Sequence, residues 1–203
     1  MLKTERLYLR PWRDSDREPF AAMNADTHVR KFFPSLLSRE ESDASILFYQ
    51  ELYKRDGFGL LAAELRETQA FVGFIGIQTM SFPVPAISGL AVEIGWRLAH
   101  EVWGRGLATE GARAVLQFAL EELQLPEVVA ITVPANLPSR RIMEKRGMSH
   151  DPQDDFDHPG LPAGHSLRRH VLYRIREEYS SSVKHAWHNA RSNIKSTQNY
   201  SLH

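Results

Sequence analysis

The densest chemistry in this chain of 203 residues lies where a strand runs into a turn. The residues are Glu93-Ile94-Gly95-Trp96-Arg97-Leu98, then Ala99-His100-Glu101-Val102-Trp103-Gly104-Arg105-Gly106-Leu107-Ala108-Thr109-Glu110. Glycines two apart, followed at once by a helical pattern, let bare backbone approach a ligand closely. Successive N–H groups there form a concave nest, and the helix start adds partial positive charge. That combination suits a pyrophosphate. It also answers a problem of charge, because 25 basic and 25 acidic residues cancel and leave no net field to attract an anion. Two other nucleotide motifs share these parts and fail on residues. The P-loop needs a Lys-Ser/Thr pair that is absent, and the dinucleotide fingerprint needs a glycine where Thr109 stands and belongs to a first strand. Taken alone, Gly104 and Gly106 serve equally well as a tight connection.

The elements around the turn read as a β-turn-α-β unit. Residues 90–98 predict a strand of mixed character, 107–123 an apolar-striped helix, and 128–133 a continuous buried strand. Upstream, residues 5–12 alternate with Leu7 and Leu9 on one face, a first strand ended by Pro11. Asp14 or Ser15 then caps a helix that carries Phe20, Ala21 and Met23 inward. Ser38-Arg39-Glu40-Glu41 is a capping box, and Ile46, Leu47, Tyr49, Gln50 and Tyr53 keep helical spacing until Gly57 stops the pattern. The apolar runs 60–63 and 71–77 flank a polar turn and predict a β-hairpin. Downstream, residues 137–146 form a short helix meeting Gly147, and 170–175 a last strand. The sum is a mixed α/β sheet in one domain over residues 1–177. Residues 178–203 are a polar tail, helical or disordered, in which Trp187 and Tyr200 are the large aromatic exceptions.

With those residues in place, the chain resembles the GNAT acetyltransferase superfamily, and within it the RimJ/RimL-like group, over roughly residues 2–176. Members carry Arg/Gln-x-x-Gly-x-Gly/Ala at this turn; here it is Glu101-Val102-Trp103-Gly104-Arg105-Gly106, with Glu101 departing from the pattern. Asn136-Leu137-Pro138-Ser139 followed by Glu144-Lys145-Arg146-Gly147 resembles the second motif, Asn-x-x-Ser then Glu-Lys-x-Gly. The resemblance implies a central, mostly antiparallel splayed sheet of about seven strands with about four helices. It implies acetyl-CoA as acyl donor, bound by the backbone from Trp96, Arg97 and Leu98 through Glu101, Val102, Trp103, Gly104, Arg105, Gly106, Leu107, Ala108 and Thr109. Asn136, Ser139, Arg141 and Lys145 on the following helix complete the cofactor set. Because the turn works mainly through backbone amides, binding is expected to survive the change at Glu101.

The resemblance also implies the chemistry. An amine must lose a proton before it attacks a thioester, and Glu93 on the fourth predicted strand is the candidate base, its other reading being a solvated residue or an ion-pair partner. Backbone N–H groups around Trp96 to Leu98 would meet the developing oxyanion. Many relatives protonate the leaving thiolate with a tyrosine seven residues after the asparagine, a position held here by Met143. Ser139 is the substitute candidate, unless its hydroxyl only satisfies the first turn of its helix. Asn136 either holds the pantetheine or caps that helix, or does both. Acceptor-facing loops fall at 28–37, with Arg30, Phe32 and Phe33, and at Asp154-Asp155-Phe156-Asp157-His158-Pro159. Arg30, Phe33, Asp157 and His158 are the candidate acceptor contacts; the acidic run would draw a cationic amine and His158 would relay a proton.

Other classes are narrowed by composition. The absence of cysteine excludes a disulfide framework, a thiolate nucleophile and cysteine-ligated zinc, and fits a reducing cytoplasm. No apolar run reaches membrane length and the charged start lacks a signal-peptide pattern. His165 with His170 and His185 with His188 lack a third ligand in register, so no metal is expected. Arg168-Arg169-His170 is too short a basic run for nucleic acid. The expected partner is a small-molecule or peptide amine, with the chain a monomer or homodimer. The competing function is a non-catalytic acyl-CoA-binding module that regulates a partner, consistent with the missing tyrosine; a different acyl donor is a third reading.

Overall fold

A computed structural model describes residues 1–176 apart from Leu90. The tail, with Trp187, Tyr200 and the His185/His188 pair, lies outside the described residues. Within them the elements run β1 (Leu2–Lys3), β2 (Leu7–Arg10), α1 (Arg17–Ala25), α2 (Arg39–Asp56), β3 (Leu60–Leu65), β4 (Phe71–Thr79), β5 (Val92–Leu98), α3 (Leu107–Gln117), β6 (Glu127–Thr132), α4 (Leu137–Lys145), β7 (Ser149–His150), β8 (Phe156–Asp157) and β9 (Arg169–Arg176). The sheet order is β1-β2-β3-β4-β5-β6-β9-β7, with β8 also on β9, and every pairing is antiparallel except β5 with β6. The expected mixed sheet with four α-helices is therefore present. Nine strands stand where about seven were expected because β1, β7 and β8 have two residues each, too few to show alternation in a sequence.

Strand alternation sorts the apolar side chains of β2 to β5 into two cores, and a third cluster of Met80, Val84, Ala91, Val129, Phe156 and Leu172 lies by β6, β8 and β9. Leu7, Leu9, Ile75, Ile94 and Leu98 pack with Leu107, Val115 and Leu116 of α3 on one face. Leu60, Ala62 and Phe74 pack with Trp12, with Phe20 and Met23 of α1, and with Ile46 of α2 on the other. The capping box of α2 forms in both directions, Glu41 N donating to Ser38 Oγ at 3.2 Å and Ser38 N to Glu41 Oε2 at 2.7 Å. Gly57 ends that helix in the left-handed conformation, as read from the sequence. Two boundaries differ. A 3-10 turn at Asp14–Asp16 precedes α1, so the cap position falls on Asp16 rather than on Asp14 or Ser15, and Asp16 is buried against Arg10 instead of bonding the helix start. The helix from Leu107 ends at Gln117, its last turn widening to i→i+5 hydrogen bonding over Phe118–Glu122.

The topology creates one opening. β5 and β6 share a single register pair, Glu93 with Val129, while β5 stays paired with β4 through Leu98. Beyond Glu93 the strands part. Ala99 N donates to Val72 O at 3.0 Å, so alternation turns the amides of Gly95 and Arg97 toward β4 and those of Trp96 and Leu98 into the gap. Trp103 Nε1 donating to Leu98 O at 2.8 Å fixes the same parity.

Candidate active site

The turn between β5 and α3 has the conformation that the glycines suggested. Gly104 and Gly106 sit at φ +73 and +76, and a Cβ built on Gly104 would meet nothing within 4 Å. L side chains avoid that backbone region, so glycine is what the turn requires. Gly106 is the N-cap of α3 and offers no side chain to the helix start, where the first N–H groups have no intrahelical partner. Among the described residues nothing accepts from the amides of Gly104, Arg105 or Gly106, and the first helical hydrogen bond is Glu110 N to Gly106 O at 3.0 Å. The result is a row of unsatisfied donors with open space in front, at the positive end of a helix dipole. This donor set fits a pyrophosphate.

Two residues that sequence reasoning did not assign hold the turn. Arg6 donates to the Arg105 carbonyl at 2.8 Å and to Glu110 Oε2 at 2.7 Å, and Glu110 Oε1 accepts from Thr4 and from Arg6 N. The turn is thereby tied to the start of the chain. Glu110 was visible only as the last letter of a motif, and its partners are more than a hundred residues away. Glu101 is exposed, and Trp103 is 46% exposed at the rim.

Across the gap, Asn136 caps α4. Its Oδ1 accepts from Ser139 N at 3.4 Å and its Nδ2 donates to Thr132 Oγ1 at 3.0 Å. The Ser139 hydroxyl has no hydrogen-bond partner among the described residues. Met143 lies one helical turn on, on the same face, and is buried in the core beside α3. Ser139 thus stands one turn before Met143 on one side of α4. Arg141 and Lys145, again one turn apart, are exposed on α4 without a carboxylate partner among the described residues. Tyr173 on β9 reaches α4 too, but its hydroxyl is taken by Arg140 at 3.1 Å and Glu144 at 3.0 Å.

Glu93 lies on β5 facing α1 and α2. It keeps some solvent contact, yet protein crowds it enough that burial pushes its carboxyl up to about 7, a rise that a 3.5 Å contact from Gln78 Nε2 only moderates. No cation pairs with it among the described residues. Arg97, four residues on and on the same face, turns its side chain toward Asn24 of α1 and Phe33. Its guanidinium lies 4.1 Å from the Phe33 ring centre and 5.2 Å from Phe74, and Nη1 donates to Asn24 Oδ1 at 2.8 Å. Arg30 approaches the same Phe33 ring at 4.5 Å and donates from Nε to Ser35 O at 2.8 Å. Tyr49 of α2, which the sequence offered only as part of a helical stripe, feels the charges of Arg97, Arg30 and Glu93, and burial pushes its phenol up.

The second acceptor segment is organised differently. Asp154 pairs with Arg174 at 2.6 Å, Asp155 with His150 at 2.8 Å, and Asp157 with Arg168 and Arg169 at 3.2 and 3.5 Å. The acidic run spends its charge inside the protein. His158 packs on Phe82 and His170 with its pKa lowered by burial. Histidines do gather elsewhere: ligand atoms of Asp26, His28 and His100 lie within 4.8 Å of one another, with the two imidazoles stacked at 4.4 Å. No helix of the described residues is long and apolar enough to cross a membrane.

Comparison with known proteins agrees with this geometry. The acetyltransferase (GNAT) domain model matches residues 6–149. YnaD of Bacillus subtilis, an uncharacterized N-acetyltransferase, is 27% identical over 177 residues, covering 87% of this chain and 97% of that protein. The crystal structure of a GNAT-family acetyltransferase from Bacillus anthracis superposes with a TM-score of 0.70 at 26% identity, over 87% of this chain and 98% of that one. RimL, a ribosomal L7/L12 α-N-protein acetyltransferase solved with coenzyme A, shares the fold at TM-score 0.67 and 13% identity, over 85% and 95% of the two chains. The open turn, the parted strands and the family match lead to one assignment: this chain belongs to the GNAT acetyltransferase family.

Proposed function

We propose that the protein moves an acetyl group from acetyl-CoA to a primary amine, a small molecule or a protein N-terminus, in a ternary complex and in the manner of the RimJ/RimL-like group. The observation that carries this reading is the row of open amides at Gly104 to Gly106 beside a parted strand pair whose far side holds a carboxyl raised to about 7. Acetyl-CoA supplies an activated acyl group, and its diphosphate would be held by the amides from Gly104 to Thr109, with Arg105, Arg141 and Lys145 available to its remaining phosphate. Glu93 takes a proton from the incoming ammonium, directly or through a water. A base with a pKa near the working pH is well suited to that step. The amides of Trp96 and Leu98, aimed into the gap, stabilise negative charge developing on the acyl oxygen. Ser139 gives a proton to the departing thiolate. Arg30 and Phe33 face the acceptor, and residues 1–177 act as one catalytic domain in the cytoplasm, as monomer or homodimer.

The test is turnover. Thiol release from acetyl-CoA is followed across amines and N-terminal peptides, with mass spectrometry of the products. The expected result is steady release matched by an N-acetylated product. Tight acetyl-CoA binding without release for any acceptor would instead make the protein a non-catalytic acyl-CoA-binding module, the outcome that Met143 in the tyrosine position favours.

A further inference from the structure

Arg97 and Arg30 are cations crowded by protein, and unlike Arg10 they have no carboxylate beside them among the described residues. Arg30 is only 8% exposed. Arg97 Nε is buried without a hydrogen-bond partner. Their guanidinium carbons lie 4.1 and 4.5 Å from one ring centre, which puts the two charges within about 9 Å of each other. Neither is ion-paired to a carboxylate among the described residues; their polar contacts are an amide oxygen and a backbone carbonyl. Glu41, whose charge reaches Arg30 weakly, is an exposed residue holding the Ser38 amide. Burial lowers the pKa of both arginines, and Arg97 also feels the like charge of Arg30. Two desolvated cations side by side are costly unless an anion joins them.

The surroundings say where that anion comes from. Arg97 and Glu93 share one face of β5, separated by four residues or about 13 Å of strand. Tyr49 is electrostatically coupled to Glu93 and to both arginines, so all four groups lie near one another on the α1/α2 side of the sheet. The carboxylates of the other acceptor segment are already engaged. A guanidinium fork with a free edge matches the planar, two-oxygen geometry of a carboxylate. Resting on the function proposed above, we infer that the acceptor is an amino acid or peptide-like molecule bearing a carboxylate, which Arg97 and Arg30 hold over Phe33 while its amine lies at Glu93. A cationic polyamine would meet two like charges on this side and be a poor acceptor.

The experiment measures kcat/KM for a series of ω-amino acids and short peptides, each against its own amide, with spermidine as a cationic reference. The carboxylates should be preferred over their amides by about 10²-fold, expressed mainly in KM. That preference should fall to within a few-fold of unity in Arg97→Gln and in Arg30→Gln, and be partly kept in Arg97→Lys. Amides used as well as acids, spermidine used best, or a preference unchanged in both variants would overturn the inference. If no acceptor is turned over, the catalytic proposal fails by itself. The site is then read from calorimetry of an N-acetylated peptide and its amide with the coenzyme A complex: tighter binding of the acid, lost in Arg97→Gln, supports the carboxylate site, and equal binding removes it.

Discussion

Two arginines mark the ends of one row across the sheet, and their surroundings differ in kind. The registers place Arg10 opposite Ala62, Ala62 opposite Phe74 and Phe74 opposite Arg97, so the two side chains rise from the same face about 14 Å apart. Arg10 has every need met inside the protein. Its Nη1 and Nη2 donate to Asp16 at 2.7 and 2.8 Å, and its Nε to Glu64 at 2.7 Å. Arg97 has an amide oxygen, two rings and an unused Nε. A charge completed by the fold holds the fold; a charge that the fold leaves incomplete is available to something else. The same contrast separates the α4 face carrying Arg140 and Glu144, which engage the Tyr173 hydroxyl of β9, from the face carrying Ser139, whose hydroxyl has no partner among the described residues.

The comparison breaks most readily on stability. Arg10→Met should cost about 3–5 kcal/mol, because Asp16 and Glu64 are left buried without their cation. Arg97→Met should cost less, about 1–2 kcal/mol, since it strands only the buried amide oxygen of Asn24 and no carboxylate. Urea unfolding of the two variants checks this, and equal losses would erase the distinction between the two ends of the row.

Glu93 sharpens the comparison from the acidic side. With its carboxyl raised from 4.5 to about 7, kcat/KM should rise with pH through about 7 and then level off. Glu93→Gln should lose about 10²- to 10³-fold at pH 7 and regain part of that as alkaline pH deprotonates the amine in solution. The linkage has a definite sign. Below pH 4.5 the group is protonated in both states and changes nothing. Between 4.5 and about 7 the unfolded chain ionises while the folded one resists, so stability is lost as pH rises. Glu93→Gln should therefore be more stable than the wild type by about 1–3 kcal/mol at pH 8, a figure discounted for the solvent contact that the side chain keeps, and indistinguishable at pH 4. Thermal melts at the two pH values test it, and a variant less stable at pH 8 would assign Glu93 a structural role.

The smallest effect expected is at Asn136. Asn136→Ala removes the acceptor for Ser139 N and should cost about 1 kcal/mol through the lost cap. A much larger fall in acetyl transfer than this loss explains would show that Asn136 also contacts the acyl donor.

What the sequence disclosed and what it hid divide along range. The turn at Gly104 and Gly106, the capping box at Ser38 and the stop at Gly57 are local events, written in consecutive residues whose backbone demands are known. The parted β5 and β6 were implied by the resemblance to the GNAT superfamily, not by the residues of either strand. Hidden were the partners that only the sheet brings together: Arg6 with Glu110, Arg10 with Asp16 and Glu64, and Tyr49 beside Glu93 and Arg97. Charge content alone could not show that the acidic run near Asp157 is paired with Arg168, Arg169 and Arg174, with Asp155 in contact with His150. Arg30 and Phe33 were identified as acceptor-facing, but the carboxylate preference they imply depends on Arg97, whose direction is set by β5 register.

The central claim is that backbone donors after β5 hold the acyl donor's diphosphate, and calorimetric titration with coenzyme A tests it most directly. The wild type should bind one equivalent. Gly104→Val, which the left-handed backbone at this exposed turn disfavours, should disturb the row of amides and lose at least about tenfold in affinity while the fold keeps a native circular-dichroism spectrum. Undiminished binding by a folded Gly104→Val, or no binding by the wild type, would contradict the account.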